Sequence, residues 1–194
     1  MWPWEHLAFG YVIYSLGVHL TWRRAPGGAE AVVVAIGTQA PDLIDKPLSW
    51  GLEVFPMGYA VGHSILFSLP LTAVAVWIAR RYDRAGIGIA LAVGYLSHLA
   101  GDVLSPFLSG GALSFDRLLW PLVSFPAYET DHGFVGRFSL YVGRYLHEAT
   151  DPSNLPYVLA YLSVFFLVST LWVIDGAPGV RQAIRTLRSV ASDG

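Results

Sequence analysis

The chain has 194 residues, of which 54% are hydrophobic and only 13% are charged, and its mean hydropathy is +0.50. Soluble domains carry about 25% charged residues, so this composition excludes a water-soluble globule and indicates a membrane protein. The formal net charge of −2 gives no basic footprint for nucleic acid. The sequence has no cysteine, which excludes disulfides, thiolate metal ligands and a cysteine nucleophile.

Four segments are apolar over the roughly 20 residues that a membrane-spanning helix needs. They are residues 4–22, 58–79, 86–108 and 155–174. The first begins after Met-Trp-Pro, without a positive leader or a small-residue cleavage pattern, so we expect it to be retained rather than cleaved.

Residues 29–50 form a fifth, ambiguous segment, because the short apolar run 31–36 is followed by Pro41, Asp42 and Asp45. The segment is either a full span with a polar end or a half-helix buried in protein. If the segment crosses the membrane, all the basic clusters fall on one side of it, as the positive-inside rule requires. These clusters are Arg23 with Arg24, residues 80–84 and the C-terminal arginines. We therefore predict five spans, with the N-terminus outside and the C-terminus in the cytoplasm.

The predicted architecture is an all-α polytopic bundle that forms one membrane-embedded domain over residues 1–194. A long connection, residues 109–154, follows the fourth span and is expected outside the cytoplasm. It contains several aromatic residues that can pack it as a cap over the bundle. Residues 176–194 are expected to form a cytoplasmic tail of the inner-membrane protein.

Ionisable residues inside spans are costly and indicate functional sites. With the five-span topology, six of them lie at the outer ends of four spans, at a common depth. These are His6, Asp42, Asp45, His63, His98 and Asp102. Independent placement would seldom produce this coincidence, so we interpret the six residues as one site.

Their spacing supports a metal site. His98 and Asp102 are four residues apart, and Asp42 and Asp45 are three apart, so each pair shares one helix face. Imidazole and carboxylate are ligands for Zn²⁺, Mn²⁺ and Fe²⁺. We predict one or two divalent ions, with zinc favoured and an aspartate as the bridge between two ions.

Each residue also has a simpler interpretation. A single histidine in a span commonly makes a hydrogen bond between helices, Asp42 after Pro41 can cap a helix, and Asp45 can be an interfacial charge. A secondary set of candidates lies in the long connection on the same side of the membrane, where a solvated loop is the competing interpretation. It comprises Arg117, Glu129, Asp131 and His132.

The chain resembles the YdjM-type proteins, which are described as LexA-binding, inner-membrane-associated, predicted metal-dependent hydrolases. The matching motifs are His6, residues 37–45 (GTQAPDLID), Gly62-His63-Ser64, Gly94-Tyr95-Leu96-Ser97-His98 with Asp102, and Trp120-Pro121. The family is thought to be distantly similar to the zinc-dependent phospholipase C and P1-nuclease group. The resemblance therefore implies a metal-dependent hydrolase that acts on a phosphoester.

The functional hypothesis is hydrolysis of a lipid or lipid-linked phosphoester by water that a divalent metal activates, with Asp42 or Asp45 as the general base. A site at the membrane edge suits such a substrate better than a soluble one. One alternative is a cation-handling transporter, although the inner halves of the spans offer few polar groups. Another is a non-enzymatic structural or interaction protein whose six polar residues pair with one another.

Overall fold

The computed structural model describes residues 1–130, 132–182 and 184. These residues form six α-helices: α1 (Pro3–Trp22), α2 (Gly28–Lys46), α3 (Ile65–Arg81), α4 (Ala85–Leu108), α5 (Gly133–Thr150) and α6 (Leu155–Ile174). A π-helical segment, Pro47–Gly51, continues α2, and two 3₁₀ turns cover Asp116–Leu118 and Pro152–Asn154. Within the described ranges there is no β-strand, so the predicted all-α fold is confirmed.

The centre of the fold is the close crossing of α2 and α4, which make the most extensive contact between any two helices described. Two glycines permit this approach. A Cβ atom on Gly37 would lie 2.8 Å from the backbone oxygen of Leu91, and one on Gly94 would lie 2.6 Å from that of Val34. Small residues at a crossing let two helix backbones meet, and here they hold the two helices that carry most of the polar residues.

α1 and α3 pack on this central pair. The aromatic ring of Tyr14 and the side chain of Val18, both on α1, form an apolar cluster with Val34 of α2 and Ala90 of α4. On α4, a Cβ atom at Gly88 would lie 2.7 Å from the Cβ of Ala79, so α3 also approaches α4 closely. Most of the buried apolar core therefore lies on α1, α2 and α4, and α3 packs against α4.

α6 stands apart from this core, because none of its residues is buried. A helix that is apolar all round and unburied in the protein suits a lipid environment. The C-terminal end of α6 contacts α1 through Asp175, the residue that follows the helix. The carboxylate of Asp175 accepts hydrogen bonds from the hydroxyls of Tyr11 and Ser15, both at 2.6 Å, and from His19 Nε2 at 2.7 Å. Burial alone would raise the pKa of Asp175, but these hydrogen bonds outweigh it and lower the pKa below its ordinary value.

Two local predictions differ from the structure. The predicted span 58–79 becomes helical only at Ile65, because backbone N–H groups of the preceding loop donate to the carboxylate of Asp45 instead of to a helix ladder. His63 therefore precedes α3 rather than lying in its first turn. The connection 109–154 contains a full helix, α5, whose Tyr141 packs on the indole of Trp50.

In the part of the chain that the structure describes, two helices are long and apolar enough to cross a membrane, namely Ala85–Leu108 and Pro152–Ile174. The prediction of five spans is therefore not confirmed. The other helices are short or carry charges: α3 has 17 residues, and α2 contains two acidic residues, Asp42 and Asp45, near its end.

Candidate metal centre

The six predicted polar residues come from four separate parts of the fold. His6 lies in the first turn of α1, Asp42 and Asp45 lie near the end of α2, His63 immediately precedes α3, and His98 and Asp102 lie in the second half of α4. All are buried or nearly so. The structure thus brings the ends of these segments to one side of the bundle.

His98 is oriented by a backbone carbonyl. Its Nδ1–H donates to the Thr38 carbonyl oxygen at 2.7 Å, and a carbonyl can only accept. The proton of the neutral ring is therefore on Nδ1, and Nε2 presents a lone pair. Such a hydrogen bond behind a histidine is typical of metal ligands, because it fixes the tautomer and the ring orientation.

His63 is oriented in the same way by Asp45. The Nδ1–H of His63 donates to Asp45 Oδ2 at 2.8 Å. The same carboxylate also accepts backbone N–H bonds from Ala60 at 2.7 Å, Gly62 at 2.8 Å and His63 at 3.0 Å. Asp45 is 0% exposed, and both of its carboxylate oxygens accept hydrogen bonds from N–H groups of the protein. This differs from our expectation that Asp45 is a metal ligand or general base: it lies behind His63 and holds the loop.

Four acceptor atoms converge in front of these two rings. The Nε2 atoms of His63 and His98 are 3.2 Å apart. Asp42 Oδ1 lies 3.5 Å from His63 Nε2 and 3.7 Å from His98 Nε2, and Asp102 Oδ2 lies 3.4 and 3.6 Å from the same two atoms. Lone pairs and carboxylate oxygens this close repel one another, so either an additional proton or a cation must lie between them.

His6 adds a fifth group to this cluster. Its ring stacks on that of His98, with centroids 3.7 Å apart, and its Nε2 is 3.3 Å from Asp102 Oδ1. The side chain of His6 is 1% exposed, and its Nδ1 has no hydrogen-bond partner among the described residues. A buried nitrogen without a partner is costly, and the other ring nitrogen, Nε2, is the one that faces Asp102.

Two overlapping sets of residues have the geometry to hold an ion, with all ligand atoms of a set within 4.8 Å of one another. One set is His6, His98 and Asp102, and the other is Asp42, His63 and His98. His98 belongs to both, yet it has a single free lone pair because Thr38 occupies its other nitrogen. Asp102 faces His6 with Oδ1 and the other two rings with Oδ2, which is the arrangement of a bridging carboxylate.

The surroundings of the cluster include residues that sequence reasoning missed. Lys46 forms an ion pair with Asp42 Oδ2, and the ring of Tyr59 packs edge-on against His63 at 4.8 Å. The spacing of Asp42 and Lys46, four residues on one helix, was a signal for the ion pair. The roles of the Thr38 carbonyl and of Tyr59 had no sequence signal, because they depend on the helix crossing and on a loop.

The secondary candidate residues of the long connection lie in different surroundings. Arg117 lies beside Tyr59, with its guanidinium carbon 4.8 Å from the ring centroid. Glu129 and His132 are exposed and belong to neither set of candidate ligands. Asp131 lies outside the described residues.

The chain has no significant match to a curated protein or to a solved structure. The family model of the YdjM inner membrane protein matches residues 1–174, a range that includes all four segments contributing to the cluster. The chain therefore belongs to the YdjM inner membrane protein family.

Proposed function

We propose that this protein is a membrane-bound, divalent-metal-dependent hydrolase that acts on a phosphoester of a lipid or lipid-linked substrate. The observation that carries the proposal is the convergence of the Nε2 atoms of His63 and His98, 3.2 Å apart, with one oxygen each from Asp42 and Asp102. Both imidazoles have their Nδ1 protons committed to acceptors behind them. The cluster is therefore prepared to accept a cation.

The donor set suits a borderline metal. Three imidazoles and two carboxylates favour Zn²⁺, with Mn²⁺ and Fe²⁺ as alternatives. In this proposal one ion would be held by His6, His98 and Asp102, or two ions would share Asp102 with His63 as a further ligand, so that Asp42 Oδ1 stays free to accept a proton. Such a metal lowers the pKa of bound water to about 7 and polarises a phosphoryl oxygen.

Asp42 is the carboxylate we assign as general base. Its Oδ1 points to the imidazoles, whereas its Oδ2 is held by Lys46. Its side chain is 12% exposed, so water can reach it, in contrast to the fully enclosed Asp45. A general base must lie within hydrogen-bond reach of the proton it takes, and Asp42 alone of the two α2 carboxylates meets that condition.

The position of the cluster supports a lipid substrate. Leu43, the neighbour of Asp42, is 66% exposed. The helices α1 and α2 have 20 and 19 residues. Each therefore extends about 30 Å, which is comparable to the thickness of the hydrocarbon core of a bilayer. We propose that α1 to α4 and α6 cross the inner membrane, with the N-terminus outside. The cluster would then lie at the outer edge of the bilayer.

The test is metal analysis combined with an activity assay. The protein is purified in detergent, stripped with a chelator, reloaded separately with zinc, manganese or ferrous iron, and analysed for bound metal. Release of phosphate or phosphorylated head group is then measured from micelles containing phosphatidic acid or phosphatidylglycerol. We expect about one or two ions per chain and hydrolysis that is lost with the chelator and restored by the metal.

The other outcomes distinguish the alternatives. Stoichiometric metal without hydrolysis of any phospholipid would contradict the enzymatic proposal and leave a metal-binding interaction protein. Absence of metal from the reloaded wild-type protein would favour a polar core whose residues pair with one another. Metal-dependent ion flux in proteoliposomes without hydrolysis would favour the transporter.

Asp45→Asn tests the positioning role of the enclosed carboxylate. The amide of asparagine has nearly the same volume as the carboxylate, but its N–H₂ group cannot accept the hydrogen bonds that Asp45 accepts from His63 and the loop backbone. The imidazole of His63 therefore loses the contact that orients it. Replacing a group behind a metal ligand typically weakens metal affinity 10- to 100-fold, and we expect a loss of about this size. A zinc titration against a competing chelator measures it.

Asp116→Asn is the matched control, because Asp116 is exposed and its carboxylate accepts a hydrogen bond from the hydroxyl of Ser114 in the same loop. Its zinc affinity should equal that of the wild type. Equal affinity in Asp45→Asn as well would show that the carboxylate supports the loop without influencing the metal.

A further inference from the structure

The connection after α4 places one cation close to the cluster. Leu118 is buried in an apolar group with Tyr95, Leu99 and Val103, and this contact fixes the short 3₁₀ turn Asp116–Leu118 against α4. Arg117, in the middle of the turn, is half-buried. An arginine anchored beside a core residue has lost much of its side-chain freedom, so less entropy is lost when it binds a ligand.

Tyr59 connects this arginine to the cluster. The guanidinium carbon of Arg117 lies 4.8 Å from the ring centroid of Tyr59, and its Nη1 is 3.4 Å from the phenolic oxygen. The same ring packs edge-to-face against the imidazole of His63, with ring centroids 4.8 Å apart. Tyr59 thus contacts both the guanidinium of Arg117 and one candidate metal ligand, His63.

Arg117 has no acidic partner within salt-bridge distance in residues 1–130, 132–182 and 184. Arg24, by contrast, is paired with Glu30 through two charge-assisted hydrogen bonds at 2.6 and 2.7 Å. A guanidinium has five N–H donors, and among the described residues that of Arg117 has one acceptor, the Tyr59 hydroxyl. Most of its donors are therefore available to a ligand.

We propose that Arg117 binds the anionic oxygens of the substrate's phosphate group beside the metal cluster, with Tyr59 setting the distance between them. The inference rests on the proposed function and deepens it by naming a specificity residue. The planar fork of a guanidinium matches two oxygens of a phosphate. The aspartates of the cluster repel an anion when no metal is bound, so phosphate binding should require the metal as well as Arg117.

The experiment compares four proteins in detergent: the wild type, Arg117→Gln, Arg117→Lys and the control Arg144→Gln. Arg144 is exposed on α5, in the same connection. Bound zinc is first determined for each protein after reloading. Isothermal titration calorimetry then measures binding of inorganic phosphate and, in a second arm, of the short-chain lipid dihexanoyl phosphatidic acid, with and without zinc.

We expect equal zinc in all four proteins and zinc-dependent phosphate binding in the wild type. The affinity for phosphate should fall about 10- to 100-fold in Arg117→Gln, as for loss of a hydrogen bond to a charged group, less in Arg117→Lys, and not at all in Arg144→Gln. Binding of the lipid but not of inorganic phosphate would assign the site to a head group, and binding of both would assign it to the phosphate itself.

Unchanged affinity for both ligands in Arg117→Gln would overturn the inference while the metal-dependent function stands. Loss of zinc from Arg117→Gln would also overturn it, since the residue would then be structural. Failure of the wild type to retain zinc would instead contradict the proposed function, so the two failures are distinguishable.

Discussion

Replacing His98 with alanine should reduce bound zinc from one or two ions per chain to background. Both sets of candidate ligands contain His98, so a single substitution removes a ligand from each. We expect the loss in affinity to exceed the 10- to 100-fold typical of a residue behind a ligand. Hydrolysis should fall with the metal content. Elemental analysis of the reloaded variant and a zinc titration measure the two quantities.

The substitution also removes the donor to the Thr38 carbonyl, which can destabilise the fold by about 1–3 kcal/mol. Thermal unfolding separates this effect from loss of the ligand. Zinc at a hundred times its dissociation constant should stabilise the wild type by about 2.7 kcal/mol and leave His98→Ala unchanged. His147→Ala, an exposed position on α5, should behave as the wild type. A zinc-dependent rise in melting temperature of His98→Ala would show that the metal binds elsewhere.

Gly94→Ala should destabilise the protein and disrupt the metal centre together. The new Cβ atom would lie 2.6 Å from the Val34 carbonyl oxygen and 3.1 Å from the Thr38 backbone nitrogen. Both are backbone atoms of α2, so the two helices must separate. Overpacking of this kind costs about 1–3 kcal/mol. The shift should also lengthen the hydrogen bond from His98 to Thr38, so zinc affinity should fall. The melting temperature in detergent and a zinc titration measure the two effects.

Gly143→Ala is the matched control for this prediction. Gly143 also lies within a helix, α5, but a Cβ atom there meets nothing within 4 Å. Both substitutions gain the higher helix propensity of alanine, which stabilises by about 0.5–1 kcal/mol, so the difference between them isolates the clash. If the two variants unfold at the same temperature and bind zinc equally, the close crossing of α2 and α4 is not required by the fold.

The long connection shows a signal that sequence reasoning left unused. Residues 133–150 carry apolar side chains at helical spacing, at Phe134, Phe138, Val142 and Tyr145, and the structure forms α5 there. Our prediction for this connection is a cap packed by aromatic residues, and it does not include the helix. The start of α3 was not predictable in the same way, because the glycine loop before it is stabilised by a carboxylate from α2.

The sequence by itself determined that the protein is membrane-associated and all-helical, and it identified the six polar residues that the structure brings to one side of the bundle. These conclusions depend on composition and on spacing along single helices, which are local properties. Tertiary structure alone decided that Asp45 orients His63 while Asp42 faces the cluster, that the Thr38 carbonyl sets the tautomer of His98, and that Arg117 and His63 both contact Tyr59. Those contacts depend on how closely two helices cross and on the path of loop backbones, and neither property is encoded at one position of the chain.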